Sequence, residues 1–342
     1  MERFDTKRKV PKSNDIDKIT ANLRLKSIIN NNQFLIANFS GSEQEKDFSE
    51  GSNCQGFGRI HHFKFDRGNK WAYDPLPHHV AASKLGLELK NEERVQVFQN
   101  AACNLKCWYC YVDYKLLSCP RLNAAFKTAD ELFDLYMQEN ERPYIIDLSG
   151  GQPDIIPEWP IRMMEAIIKR GMQHQCYLWI DDNLTSYNAW KYLLQSDFDL
   201  MRSYNNFGRV GCFKGFSPES FHENTGATSE IFKRQIDIMS KWVSLGLDMY
   251  GYIILTSSNL KGINPALNKF MDDIQDKIHP SFLLRIVPLE IFKFGPTRKR
   301  MKKWMQDALT NQYEILSIWN EELASRYSNT ERKRPIYSIV IN

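Results

Sequence analysis

From residue 93 onward the apolar positions keep a regular beat. Short runs rich in β-branched and aromatic residues alternate with helix-length amphipathic stretches. The runs are 93–100 (ERVQVFQN), 144–150 (YIIDLSG), 176–181 (CYLWID), 209–215 (RVGCFKG), 251–257 (GYIILTS) and 282–288 (FLLRIVP). They read as strands. Helical spacing marks the segments near 129–139, 158–171, 187–195, 229–245 and 264–276, and a longer one over 298–327. Each βα unit has the length of a parallel crossover. Six units fall short of the eight of a complete barrel, so the pattern predicts an open, partial (β/α)6 barrel. A doubly wound sheet is the alternative that periodicity alone does not separate from it.

The first 92 residues keep a different rhythm. Residues 1–17 are charged and expected to fray. Residues 17–30 read as a short helix, 32–39 as a strand, 43–58 as a loop rich in Ser, Gly and charge, and 59–65 (RIHHFKF) as a strand. DPLPHH then turns the chain. The expected division is an α+β extension of unknown role over 1–92, the barrel over 93–290, and a C-terminal helix with a basic tail over 291–342.

Composition adds exclusions. An apolar content of 42% and a charged content of 25% are those of a globular protein. No apolar run approaches the ~20 residues that span a bilayer. The start, MERFDTKRKVPKSND, lacks the apolar core of a secretory signal. A soluble, cytoplasmic protein with no membrane partner is expected. A net charge of +4 is too small for the size to argue for nucleic acid.

Seven cysteines, an odd number with no even framework, speak against a disulfide scaffold. Three of them, Cys103, Cys107 and Cys110, fall within eight residues directly after the first strand run. A chance match of that pattern anywhere in the chain has a probability of about 0.003. Clustered thiols suggest metal. Structural zinc wants four closed ligands, and Cys119, Cys54, His61 and His62 offer no helpful spacing for the fourth. His61 and His62 face opposite ways on a strand, which fits them poorly to one ion. An iron–sulfur cluster is commonly held by four cysteines; three on a four-iron cube leave one iron open, as catalysis requires.

Cys-x3-Cys-x2-Cys after a first strand, with an aromatic between the last two cysteines, resembles the signature of the radical S-adenosylmethionine (radical SAM) superfamily. The likeness spans about residues 93–290. It implies a radical SAM type of partial barrel carrying a [4Fe-4S] cluster on Cys103, Cys107 and Cys110. The open iron takes the amine and carboxylate of S-adenosylmethionine (SAM). One electron, from a reductant such as flavodoxin or ferredoxin, cleaves the S–C5′ bond, and the 5′-deoxyadenosyl radical abstracts hydrogen from substrate. The other class of reading is a non-catalytic zinc or iron–sulfur binding module.

Further residues fall at strand ends, the rim where parallel α/β folds place their sites. Gly150 and Gly151 permit close backbone approach to a ligand; with Gln152 and Pro153 they resemble the family's Gly-Gly-Glu-Pro segment, Gln152 replacing Glu. Asp181 and Asn183 belong to the segment Asp181-Asp182-Asn183 at the end of the third strand, which resembles the Asp-Thr-Asn-Gly stretch of glycyl-radical-enzyme activases. Lys214 matches the lysine of their Asp-x-Lys segment, with Cys212 in the aspartate's place, and is expected to meet the SAM carboxylate or a substrate anion. The resemblance puts Tyr109 against the adenine; Trp108 covers the barrel mouth. Cys212 reads as a small buried apolar residue. Arg285 points into or out of the barrel. Residues 298–303 (RKRMKK) carry five cations that suit phosphate or an acidic peptide. The substrate is thus expected to be a protein or peptide, or a phosphate-bearing nucleotide. No cysteine follows Cys212, so no auxiliary cluster is expected.

Overall fold

The computed structural model describes residues 13–64, 71, 73–90 and 92–341. Of the fraying expected over residues 1–17, residues 1–12 lie outside them, as does the end of the 59–65 run, while residues 13–17 are helical. Two sheets organise the chain. The smaller is antiparallel, with β1 (Ile28–Ile29), β2 (Gln33–Ala37) and β5 (Ala124–Lys127) in the order β1-β2-β5. The larger holds β3 (Gly58–Lys64), β4 (Glu92–Phe98), β6 (Ile145–Leu148), β7 (Tyr177–Asp182), β8 (Phe207–Phe213), β9 (Met249–Ile254) and β10 (Ile286–Leu289), in the order β10-β9-β8-β7-β6-β4-β3. Within it, β4 and β6 to β10 run parallel throughout. This is the expected six-stranded partial barrel, with a seventh strand added.

That strand, β3, comes from the N-terminal extension and pairs antiparallel with β4 from Gly58↔Phe98 to Lys64↔Glu92. The sheet therefore does not begin at residue 93. The extension also supplies α1 (Ser13–Ser27), whose buried Arg24 pairs with Glu158 at 2.8 Å, and α2 (His78–Leu85) where only a turn was expected.

Alternation along the strands separates two cores. The outer face packs under α3 (Ala129–Gln138), α4 (Glu158–Lys169), α8 (Ile231–Ser244) and α9 (Ile263–Lys277). The inner face forms its own cluster: Val95, Val97, Ile145, Tyr177, Trp179, Val210, Cys212, Tyr250, Tyr252 and Val287, closed from one end by Leu76 and Val80. The inner core thus fills one end of the barrel and leaves the strands' C-terminal end to polar residues.

Details depart from the sequence reading. The 187–195 helix is two, Asn188–Tyr192 and Gln195–Ser203, and Pro218–Thr225 precedes α8. The last helix splits into Gly295–Arg298 and Lys303–Arg326. Residues 282–285 form a 3-10 turn, so Arg285 lies before β10 and bonds Asp248 at 2.7 Å and the Ile339 carbonyl at 2.8 Å. That places it at the N-terminal end of the strands, opposite the cysteines. Arg209 on β8 is the ion that ties strands together on the outer face: it pairs with Asp154 and, at 2.8 Å, with Asp182, all three buried. Arg209→Met is expected to lower stability by about 3–5 kcal/mol, because it leaves two buried carboxylates without their cation; a urea midpoint that does not move would overturn that assignment.

Candidate functional site

The cysteine loop leaves the C-terminal end of β4 and is built by backbone bonds to distant segments. Strand β2 seats its entry: Ala101 N–H donates to Leu35 O at 2.9 Å, and Ala37 N–H to Gln99 O at 2.9 Å. Cys103 N–H donates to Leu117 O at 3.0 Å, closing the loop on itself. The Gly150-Gly151-Gln152 turn docks alongside. Gln152 N–H donates to Ala102 O at 2.7 Å and the Asn100 amide to Gln152 O at 2.7 Å. Both glycines have φ in the left-handed region, +84° and +69°, and a Cβ on Gly151 would lie 2.7 Å from Ala102 O. Only glycine lets this turn touch the loop that carries the thiols.

Gln152 has work that its amide alone can do. Its Nε2 donates to Asp182 at 2.7 Å, and its Oε1 accepts from Asn183 N–H at 2.8 Å. A glutamate there would set one carboxylate against another. Gln152 is therefore a brace between two strand ends, with its side chain fully engaged. Asn183 donates to Asn104 Oδ1 at 2.9 Å and lies 3.9 Å from the Cys103 sulfur.

All seven cysteines are free. Burial, with the Cys107 thiol second, pushes Cys103 up to about 12 and Cys110 up to about 11; burial also raises Cys107 against the pull of Lys214. The Lys214 ammonium, half-buried, makes no hydrogen bond or ion pair among the described residues. Burial works against its charge, but Cys212, Cys107, Cys103 and Asp181 outweigh it and raise its pKa. The three thiols and this cation thus share one rim. Among the described residues no three His, Cys, Asp or Glu side chains converge as they would on a single metal ion. Three thiols, one buried and two half-buried, beside the Lys214 ammonium fit a negatively charged thiolate-ligated cluster, whose uptake would release their protons.

No family model matches the chain, and no curated protein is significantly similar to it. Solved structures are similar at low identity. SuiB of Streptococcus suis bound to S-adenosylmethionine is 15% identical over 54% of this chain, with a TM-score of 0.38. Native anSMEcpe with bound AdoMet and Cp18Cys peptide is 16% identical over 68%, at 0.41. TYW1 with a lysine-pyruvate adduct bound is 10% identical over 78%, at 0.41. The chain spans 37% of the SuiB chain, 61% of the anSMEcpe chain and 84% of the TYW1 chain. In the present chain the cysteine loop sits on the first of six parallel strands, which form a partial barrel.

Sequence reasoning missed the group that holds the loop's carbonyls. Arg300 donates to Cys107 O at 3.3 Å, to Val112 O at 3.2 Å and to Cys110 O, and its guanidinium sits 4.0 Å from the Tyr114 ring centroid. Tyr114 donates to Cys107 O at 2.6 Å, and Thr297 to Cys110 O at 3.2 Å. The basic run is otherwise occupied too: Lys299 pairs with Glu43, and Arg298 with Asp47 at 3.5 Å. Three of its five cations are thus bound to the protein, which removes most of the expected phosphate site. Trp108 donates from its indole to Asn224 at 3.0 Å and walls off the loop from a cleft of about 1380 Å³ that also meets Lys106, His222, Lys302 and Trp304. Tyr109 is buried, its hydroxyl raised by burial and by the Cys107 thiol beside it.

Asp181 points into the barrel, where Ser149 donates to it at 2.6 Å and the Trp179 indole at 3.2 Å. Asp147 lies nearby, buried, without a hydrogen bond or ion pair among the described residues. Burial first and the Asp181 charge second hold its pKa well above the ordinary 3.8, against Arg59.

Two outcomes follow. Arg300→Gln is expected to lower iron incorporation and shift the cluster's reduction potential, with Arg300→Lys recovering part of both; unchanged iron content and potential in Arg300→Gln would remove its role. Folding takes up a proton on Asp147 above its ordinary value of 3.8, so this group's contribution to stability falls as pH rises from there until the folded carboxyl ionises. Asp147→Asn is expected to flatten that decline in the urea midpoint measured against pH; parallel curves for the two proteins would refute the buried, unpartnered carboxyl.

Proposed function

We propose that the chain is a radical SAM enzyme in which Cys103, Cys107 and Cys110 hold a [4Fe-4S] cluster. The observation that carries this reading is the set of three free thiols, buried or half-buried, on one loop at the C-terminal end of the first parallel strand. Such a cluster, when bound and reduced by a flavodoxin- or ferredoxin-like donor, supplies the electron that splits SAM into methionine and the 5′-deoxyadenosyl radical, which removes a hydrogen atom from substrate.

The chain's own residues would position the cosubstrate. The carbonyls at Gly150 and Gly151 accept hydrogen bonds from the SAM ammonium, on a turn whose glycines let the backbone approach a ligand, while the Gln152 carbonyl is held by Asn100 and Gln152 acts as their brace. Lys214 meets the SAM carboxylate; its unpartnered ammonium supports that role. Asp181 and Asn183 border the ribose, and Tyr109 lies against the adenine. Burial of Trp108 and Tyr109 keeps water from a reactive radical. The engagement of Arg298, Lys299 and Arg300 with protein groups favours a protein, peptide or amine-bearing small molecule over a phosphate-bearing nucleotide. The enzyme is placed in the cytoplasm, where thiols stay reduced.

Anaerobic reconstitution with iron and sulfide tests the proposal. A brown protein with about four irons per chain that releases 5′-deoxyadenosine from SAM with dithionite is expected, and Cys107→Ala should lose that release while keeping its fold. Stoichiometric zinc without SAM cleavage would instead identify a metal-binding module.

A further inference from the structure

The barrel lumen contains a carboxyl for which the protein provides no partner. Strand register aligns Arg59 on β3, Val97 on β4, Asp147 on β6 and Trp179 on β7 in one row across the sheet. Val97 and Trp179 belong to the inner core, so Asp147 faces the lumen with them. It is 7% exposed, and its Oδ1 is buried with no hydrogen-bond partner. Several of its polar neighbours are engaged elsewhere, although the Arg59 Nε is itself without a hydrogen-bond partner. Asp181 has Ser149 and Trp179. Arg59 donates to the Tyr111 hydroxyl at 3.3 Å and lies over the Tyr111 and Phe48 rings. Tyr252 donates to Asp74 at 3.0 Å. A buried carboxyl left alone is expensive to desolvate, and native proteins seldom keep one without a use.

The chemistry of the partner follows from charge. On the reading that the SAM carboxylate engages Lys214, the lumen holds two carboxyls, Asp147 and Asp181, against one cation, Arg59. With the site empty, burial keeps Asp147 protonated; a cation beside it would let it ionise and pair. Trp179 and Tyr252 belong to the same inner wall. An anion would face both carboxyls, and a neutral group would bring no charge to pair with Asp147. We propose that Asp147, assisted by the charge of Asp181, binds a cationic group of the substrate, an ammonium or guanidinium, inside the barrel beneath the cysteine loop. The substrate class is then an amine- or guanidine-bearing molecule, such as a peptide presenting a lysine or arginine side chain, oriented by this contact with its reacting carbon toward the loop. The N-terminal extension takes part, because β3 carries the Arg59 that limits the site to a single positive charge.

The test uses the full-length reconstituted protein with SAM and three probes: n-butylammonium, n-butylguanidinium and n-butanol. Binding is read by saturation-transfer NMR and calorimetry. The cations are expected to bind and the alcohol not. Asp147→Asn should weaken both cations by about tenfold or more, and Asp147→Glu should retain part of the affinity. SAM affinity, measured separately by equilibrium dialysis, should change far less than in Lys214→Ala. Equal binding of alcohol and ammonium overturns the proposal, and that comparison needs no variant to fold. Cation affinity unchanged in Asp147→Asn also overturns it, as does a loss of SAM affinity equal to that of Lys214→Ala, which would assign the carboxyl to the cosubstrate. Asp147-dependent cation binding by a protein that fails to cleave SAM would sink the radical reading and leave the cation site standing; SAM cleavage without cation binding would do the reverse.

Discussion

The cysteine loop has no neighbouring strand to satisfy its backbone, and the architecture around it answers that need. Loop carbonyls buried near a hydrophobic core require donors. Ala102 O takes its donor from the Gly-Gly-Gln turn, and Cys107, Cys110 and Val112 take theirs from Arg300, Tyr114 and Thr297. The entry at Ala101 borrows a bond from β2 of the small sheet. Three separate regions of the chain therefore converge on some ten residues. Thiol positions depend on backbone positions, so the geometry available to a cluster is set by these long-range bonds more than by the cysteine spacing.

This explains what was legible beforehand. The strand rhythm from residue 93 was readable because burial on both faces leaves long apolar runs such as YIIDL and GYIIL, and helices between them keep an amphipathic period. The cysteines were readable because their spacing is rare. Arg300 was not, since a run of cations looks the same whether it faces solvent or caps carbonyls some 190 residues away in sequence. Likewise β3 was seen as a strand, but nothing local says that its partner is β4. The expected 282–288 strand failed at its start because FLLR is apolar enough for either state, and the Arg285–Asp248 pair holds it in a turn before the strand begins.

Asp181 and Asp182 show how one step along a strand decides chemistry. Asp182 faces the helices, where Arg209, Gln152 and the Trp242 indole hold it as a fully paired anion; burial opposes its ionisation, but Arg209 prevails and lowers its pKa. Asp181 faces the lumen, where burial raises its pKa against Ser149 and Lys214. Alternation gives one residue to the fold and the other to the site.

The contrast extends to Asp147, and it bears on why a lumen of this kind is built partly unsatisfied. A ligand pocket whose groups were all paired internally would have to break those bonds before gaining new ones, and would gain little by binding. A carboxyl left without a partner is poised to form its bond only when the ligand arrives. The folded chain carries that penalty while the site is empty, and the Arg209 triad on the outer face of the same strands, held by buried ion pairs and remote from the lumen, supplies rigidity that does not compete with it. The ion pairs that tie these strands thus lie on the helix side of the sheet, and the lone Asp147 carboxyl lies on the lumen side, where the proposed substrate would meet it.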